Sequence, residues 1–188
     1  MTRSLIVIAG YVVLGISFLF QQPPAPGPIN IVPVTEAQIK LGVKNERAAK
    51  LRTKRINRAV AAARMVYRAN GCRDTYSEIT GRTAYEYGLS PRLLAAVVFI
   101  ESGCRANAVS GRNSVGLLQV NPRVWGHTKE LKDPVRNLQI GAAILASYIR
   151  THGLIEGLHY YNGYSGVHKH IYVNKVLIAA GLIDAIQK

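Results

Sequence analysis

The stretch from Ser90 to Gly103 constrains this chain most: a capped, strongly apolar helix that ends on a single carboxylate. Ser90-Pro91 supplies an N-cap and a first-turn proline, and Gly103 sits just past the end. Between them runs LLAAVVFI, closed by Glu101. Leu93, Leu94, Val97, Val98 and Ile100 demand packed neighbours, and Glu101, four residues after Val97, shares their face. Two readings of that carboxylate stand open. Buried, it loses water, its pKa rises, and it becomes a proton donor near neutral pH. At a helix end it could instead turn back to solvent or pair with Arg105.

The rest of the chain reads as helical punctuation around this element. Thr35 to Asn70 is proline-free and alanine-rich, with Gly71 as its stop. Thr83 to Tyr87 ends a short helix at Gly88. Pro134 to Arg150 carries Leu138, Ala142, Leu145 and Ile149 on one stripe and closes at Gly153, and Glu156 to Tyr161 and Tyr172 to Ala180 suggest two more helices. Residues 105–122 are rich in Gly, Ser and Asn and read as irregular. Neither period-2 strands nor internal repeats appear. The expected fold is mainly α, in three parts: 1–22 a membrane anchor or signal segment, 23–71 a proline-rich spacer and basic helical arm, and 72–188 the helical domain.

Charge and hydropathy limit the partners. The 188 residues carry 24 basic and 10 acidic side chains, a net +14. Residues 1–71 hold 11 of the basic and two of the acidic ones, so the arm is far more basic than the domain. Such an arm attracts polyanions, and residues 44–68 read as either a solvated stalk or a grip on anionic lipid or wall polymer. No base-reading motif accompanies it, which leaves nucleic acid the least supported partner. Leu5 to Phe20 is an uncharged apolar run behind Arg3, followed by five of the eight prolines between Gln21 and Pro33. We read residues 5–20 as an uncleaved anchor whose near side is cytoplasmic, since Lys40 is the first positive charge beyond it. Cys72 and Cys104 could pair in an oxidising compartment or stay as separate thiols.

The motifs that carry chemistry form an ordered series. Glu101-Ser102 is followed by Ser110, by Gly116-Leu117-Leu118-Gln119 and by Asn121-Pro122. Downstream come Asp133-Pro134, Asn137-Leu138, Gly141-Ala142-Ala143, Tyr161-Asn162-Gly163 and Tyr172-Val173-Asn174-Lys175-Val176. The series resembles the lysozyme-like soluble lytic transglycosylases, including the small muralytic proteins of phages and secretion systems, over about residues 75–180. The resemblance implies a goose-type lysozyme-like helical fold without metal or organic cofactor. It implies peptidoglycan glycan strands as substrate and non-hydrolytic cleavage of the β-1,4 bond between N-acetylmuramic acid and N-acetylglucosamine. Glu101 would be the catalytic acid and then base. Ser110, Gln119 and Asn121 match substrate-contacting positions, Tyr161 the tyrosine that hydrogen-bonds near the catalytic carboxyl, and Asn162 accompanies it. Each also has a plain structural reading, as turn residue, cap or core.

Departures from the family pattern are few. Leu118 is the third residue of a tract the family writes GLMQ. Asn113 stands where glycine is common and Tyr160 where alanine usually precedes Tyr-Asn, while Gly163-Tyr164-Ser165-Gly166 replaces a glycine-proline-glycine tail. Trp125, Tyr160 and Tyr164 could stack on sugars or simply pack. Asp133 reads as a helix N-cap, and Glu130 and Glu156 as exposed. His168 and His170 share a face only on a strand, which argues against a metal site there. Two rivals remain: a goose-type lysozyme that hydrolyses the same bond, and an assembly or nucleic-acid-binding factor with an inactive lysozyme-like domain. The implied location is an inner-membrane anchor with the domain in the periplasm or wall space, or a place on a virion.

Overall fold

The computed structural model describes residues 35–126, 129–163 and 169–182. Among these residues six α-helices follow one another: α1 Glu36–Ala69, α2 Ser77–Tyr87, α3 Pro91–Ser102, the short α4 Pro122–Trp125, α5 Pro134–Asn162 and α6 Lys169–Ala180. Among the described residues there is no strand; the tract between α3 and α4 holds only isolated antiparallel bridges joining Val115 to Val109 and to Val120. The mainly α expectation therefore holds for these residues. Local chemistry explains most boundaries. Thr35 and Gln38 form a reciprocal capping box at the start of α1. Ser90 accepts from the Leu93 amide ahead of α3, and Asp133 Oδ1 accepts from the Arg136 amide at 2.7 Å ahead of α5. Inside α5, Gly153 (φ 80°, ψ 174°) breaks the helical path, so 134–152 and 154–162 are two helices meeting at a kink.

Helix α3 runs through the middle of the core. Leu94 through Val98 have no measurable exposure; α1, α6 and α2 pack against this helix, and Ala63, Val66, Tyr67, Val173, Val176 and Leu177 belong to the same core. At about 25 cal/mol per Å² of apolar surface, each such Leu or Val contributes roughly 1.5–3 kcal/mol. The apolar run LLAAVVFI thus lies at the centre because nearly all its faces are covered, not one stripe alone.

Two features tie the N-terminal helix to this body. Residues 59–69, assigned on charge to the arm, pack in the core: Ala59, Ala63, Val66 and Tyr67 are buried. The Tyr67 hydroxyl shares a 2.7 Å hydrogen bond with Thr80 Oγ1 of α2. The two helices touch so closely that a Cβ on Gly81 would lie 2.5 Å from Val60 Cα. Residues 36–55, by contrast, are exposed wherever described. The second tie is a Cys72–Cys104 disulfide, which joins the end of α1 to the turn after α3. Among the described residues no helix is long and apolar enough to cross a membrane. The segment expected to do so, residues 5–20, lies outside them together with Tyr164 and His168.

Candidate active site

Glu101 ends α3 where the helix leaves the core, so its backbone is fixed by packing while its carboxyl reaches the wall of a cleft of about 330 Å³. Two tyrosines frame it, Tyr172 buried and Tyr161 partly buried. The Tyr172 hydroxyl, from α6, donates to Glu101 Oε1 at 2.6 Å. The Tyr161 hydroxyl, from the end of α5, donates instead to the Leu118 carbonyl at 2.8 Å. The hydroxyl bonded to the carboxyl is thus that of Tyr172, while burial first and then the nearby Glu101 charge push the Tyr161 pKa well above its ordinary value. Burial lifts the Glu101 pKa from 4.5 to about 7, against the lowering effect of the Tyr172 hydrogen bond. The same burial, and the nearby carboxyl, hold Tyr172 well above its ordinary value, so it stays a neutral donor. Arg105, the alternative partner considered for Glu101, sends its Nε to the Ser102 carbonyl at 3.0 Å.

The opposite wall is the tract 105–121, held in shape by one buried side chain. Asn137, fully buried on α5, accepts from the Leu118 amide at 2.9 Å and donates to the carbonyls of Val115 at 2.8 Å and Leu131 at 3.1 Å. Gly116 has φ +82° and lies so close to Asn137 that any Cβ there would collide with it. On Gly141 an added Cβ would meet Leu118 at 2.6 Å and the Tyr161 hydroxyl at 3.0 Å, which explains a glycine in the middle of a helix. Gln119 sits in left-handed backbone, φ 46°, a conformation that costs a non-glycine residue of order 1 kcal/mol. Its Nε2 donates to the carbonyls of Ala108 at 3.2 Å and Gly116 at 3.0 Å, which pins it there. Asn113, standing where the family often has glycine, is also left-handed, φ 63°, and asparagine tolerates that region well.

Of the residues singled out from sequence, Glu101, Gln119, Asn121, Tyr161 and Asn162 all line this cleft. Ser110 is not among its lining residues. The Ser110 hydroxyl accepts from the amides of Arg112 and Ser114 and shapes a turn, while Ser114 reaches the cleft. Asn121 caps α4 through Oδ1 and donates to the Arg112 carbonyl. Trp125 and Tyr160 line the cleft and do pack, both against Tyr148, with ring centroids 6.3 Å and 5.8 Å away. The residue that sequence reasoning passed over is Tyr172. It stood in a quoted motif without a role, and its signal was a phenol among Val173, Val176 and Leu177 that needs a polar partner when buried. Among the described residues no group of histidines, cysteines and carboxylates could hold a metal.

The cleft thus combines a single carboxyl raised toward neutrality, a hydroxyl donor to it from Tyr172, and Gln119 held in left-handed backbone. The family model described as the transglycosylase SLT domain matches residues 78–172, half of the chain. The chain belongs to this family. The chain is similar to endo-type membrane-bound lytic murein transglycosylase A of Cronobacter sakazakii, at 36% identity over 93 residues, covering 43% of this chain and 45% of the relative. The protein of the same name from an Enterobacter species is 34% identical over the same shares, and that from Salmonella paratyphi B is 36% identical over 36% of this chain and 40% of the relative. The chain thus spans under half the length of these curated relatives. The family-model match contains Glu101, the loop with Gln119, both framing tyrosines and Asn137.

Proposed function

We propose that this SLT protein is a peptidoglycan lytic transglycosylase that cuts the MurNAc-β-1,4-GlcNAc bond without water. The observation that carries the reading is Glu101, a partly buried carboxyl with a pKa of about 7 that is the only acid among the described residues lining the cleft. Ordinary glycosidases need two carboxylates, one as acid and one as nucleophile or base. One suffices when the substrate supplies the rest. Protonated Glu101 gives its proton to the glycosidic oxygen, the GlcNAc leaves, and the N-acetyl oxygen of the muramic residue stabilises the cationic anomeric carbon. The resulting carboxylate takes the proton of the muramic C6 hydroxyl, whose oxygen bonds to the anomeric carbon and closes a 1,6-anhydro ring. An internal nucleophile gains effective concentration that a bound water lacks. The neutral Tyr172 hydroxyl holds the carboxyl in place and steadies its charged form. The Gln119 amide and Asn162 offer hydrogen-bonding groups to the sugar, and Trp125 and Tyr160 offer aromatic faces. In this reading Ser110 acts through the turn it holds.

Glu101→Gln keeps the shape but cannot donate or recover a proton, so clearing of purified wall should fall by at least a thousandfold. Full clearing by that variant sinks the assignment. Mass spectrometry of the wild-type products should find 1,6-anhydro ends; reducing ends in their place would make the protein a goose-type hydrolase. Residues 5–20 are proposed as the anchor, which accords with the relatives being called membrane-bound, and the exposed basic part of α1 as a contact for anionic lipid or wall polymer. The domain then works in the periplasm or wall space, and the relatives' endo-type name supports cuts within strands.

A further inference from the structure

A hollow of about 500 Å³ lies between α1, the end of α2 and the first residue of α3, and shares no lining residue with the cleft that holds Glu101. Small residues keep it open. Ala59, Ala84 and Leu89 give it a buried apolar lining, while Ala62 and Gly88 add almost no bulk; a Cβ built on Gly88 would meet nothing within 4 Å. Arg55 and Arg58 complete the lining, three residues apart on one face of α1 and both exposed. Among the described residues neither arginine makes an ion pair or a side-chain hydrogen bond. The two acids of α1 are engaged elsewhere, Glu36 with Lys40 at 2.6 Å and Glu46 with Lys50 at 2.7 Å. The hollow therefore joins open apolar surface to two unanswered positive charges.

We propose that this hollow docks an acidic segment of a partner protein. One bulky aliphatic or aromatic side chain of that segment fills the space against Ala59, Ala84 and Leu89, and flanking carboxylates meet Arg55 and Arg58. A planar guanidinium takes a carboxylate through two parallel N–H donors, and the inserted side chain drives water off the apolar lining. The two demands are met together by a polypeptide. Anionic lipid answers the arginines but keeps its tails in the bilayer, and an anionic wall polymer has no bulky apolar group to insert. A merely solvated basic stretch needs no hollow beside it. Because the linings of hollow and cleft are separate, a seated partner leaves Glu101 open to substrate. The contact thus recruits the protein to an assembly without switching its chemistry, and it holds whatever reaction the cleft performs.

The test screens the full chain in non-ionic detergent against a random dodecapeptide display library, with counter-selection on Ala62→Trp, whose indole fills the hollow. Enriched peptides should place a Leu, Ile, Phe or Trp beside Asp or Glu. Labelled synthetic copies, read by fluorescence anisotropy, should bind at least about tenfold more weakly to Ala62→Trp and to the Arg55→Glu, Arg58→Glu double variant. Changing the peptide's apolar residue to Ser should cost a similar factor. Both protein variants should keep a cooperative thermal transition, and saturating peptide should leave wall clearing by the wild type unchanged. No enrichment over the counter-selection, enriched peptides lacking acids, or affinity that survives both variants would overturn the proposal. A loss of binding to phosphatidylglycerol vesicles in both variants, with no acidic peptide selected, would give the face to the membrane instead. A dimer that both variants abolish would give it to a second copy of the chain.

Discussion

Glu101 and Tyr172 oppose each other's effects on one proton. Burial raises the carboxyl toward 7 and the phenol's hydrogen bond pulls it down. The acid form must donate first, so kcat/KM should fall as pH rises through about 7. Tyr172→Phe removes the lowering influence, and the alkaline limb of the pH–rate profile should then move to higher pH, alongside a lower maximal rate from a looser carboxyl. An unmoved limb would show that the hydrogen bond does not act on the titrating group. The same shift bears on stability. An unfolded chain releases this proton near 4.5 and the native one near 7, so stability declines across that window as pH rises. At full strength the loss is about 3 kcal/mol above neutrality, at 1.36 kcal/mol per pKa unit. Glu101→Gln should accordingly melt higher than wild type at pH 8, with the gap closing toward pH 4.

At the scale of elements, the loop opposite Glu101 is shaped by a helix rather than by its own sequence. Asn137 serves three backbone groups of residues 115–131 from inside α5. Asn137→Leu would leave the Leu118 amide and two carbonyls buried without partners, at about 2–4 kcal/mol together. Urea denaturation should report that loss, and activity should fall further than stability because Gln119 loses its strained seat. The helices around this loop were legible from sequence because their signals are local: Ser90-Pro91, Asp133-Pro134, Gly88, Gly103 and Gly153 each act within a few residues. The role of Asn137 was not, since its partners lie up to 22 residues away. Choosing Tyr172 over Tyr161 as the donor to Glu101 likewise needed the packing of α6 against α3.

For the whole molecule, the decisive fact is that α1 is both arm and core. Charge alone reads residues 44–68 as a solvated stalk or a grip on polyanions, yet their last turns bury Ala59, Ala63, Val66 and Tyr67. Deleting residues 1–70 would strip Thr80 of its partner and open α2 and α3, so that truncated chain should fail to melt cooperatively. Deletion of residues 1–54 should keep a cooperative transition, with weaker retention on anionic vesicles or wall at low salt. The disulfide closes a loop across a separation of 32 residues. Chain entropy gives such a crosslink about 3–4 kcal/mol, so reduction should lower the melting temperature markedly without changing the pH–rate profile.

The sequence by itself determined the helical class, the positions of the caps and the single carboxylate at the end of the apolar run. Those properties rest on hydrogen bonds and periodicity within a few residues. Only the tertiary structure decided which tyrosine holds that carboxyl, which asparagine shapes the facing loop, and how far α1 enters the core. Each of those depends on groups distant in the chain meeting where water is excluded, where an unpartnered polar atom is too costly to leave.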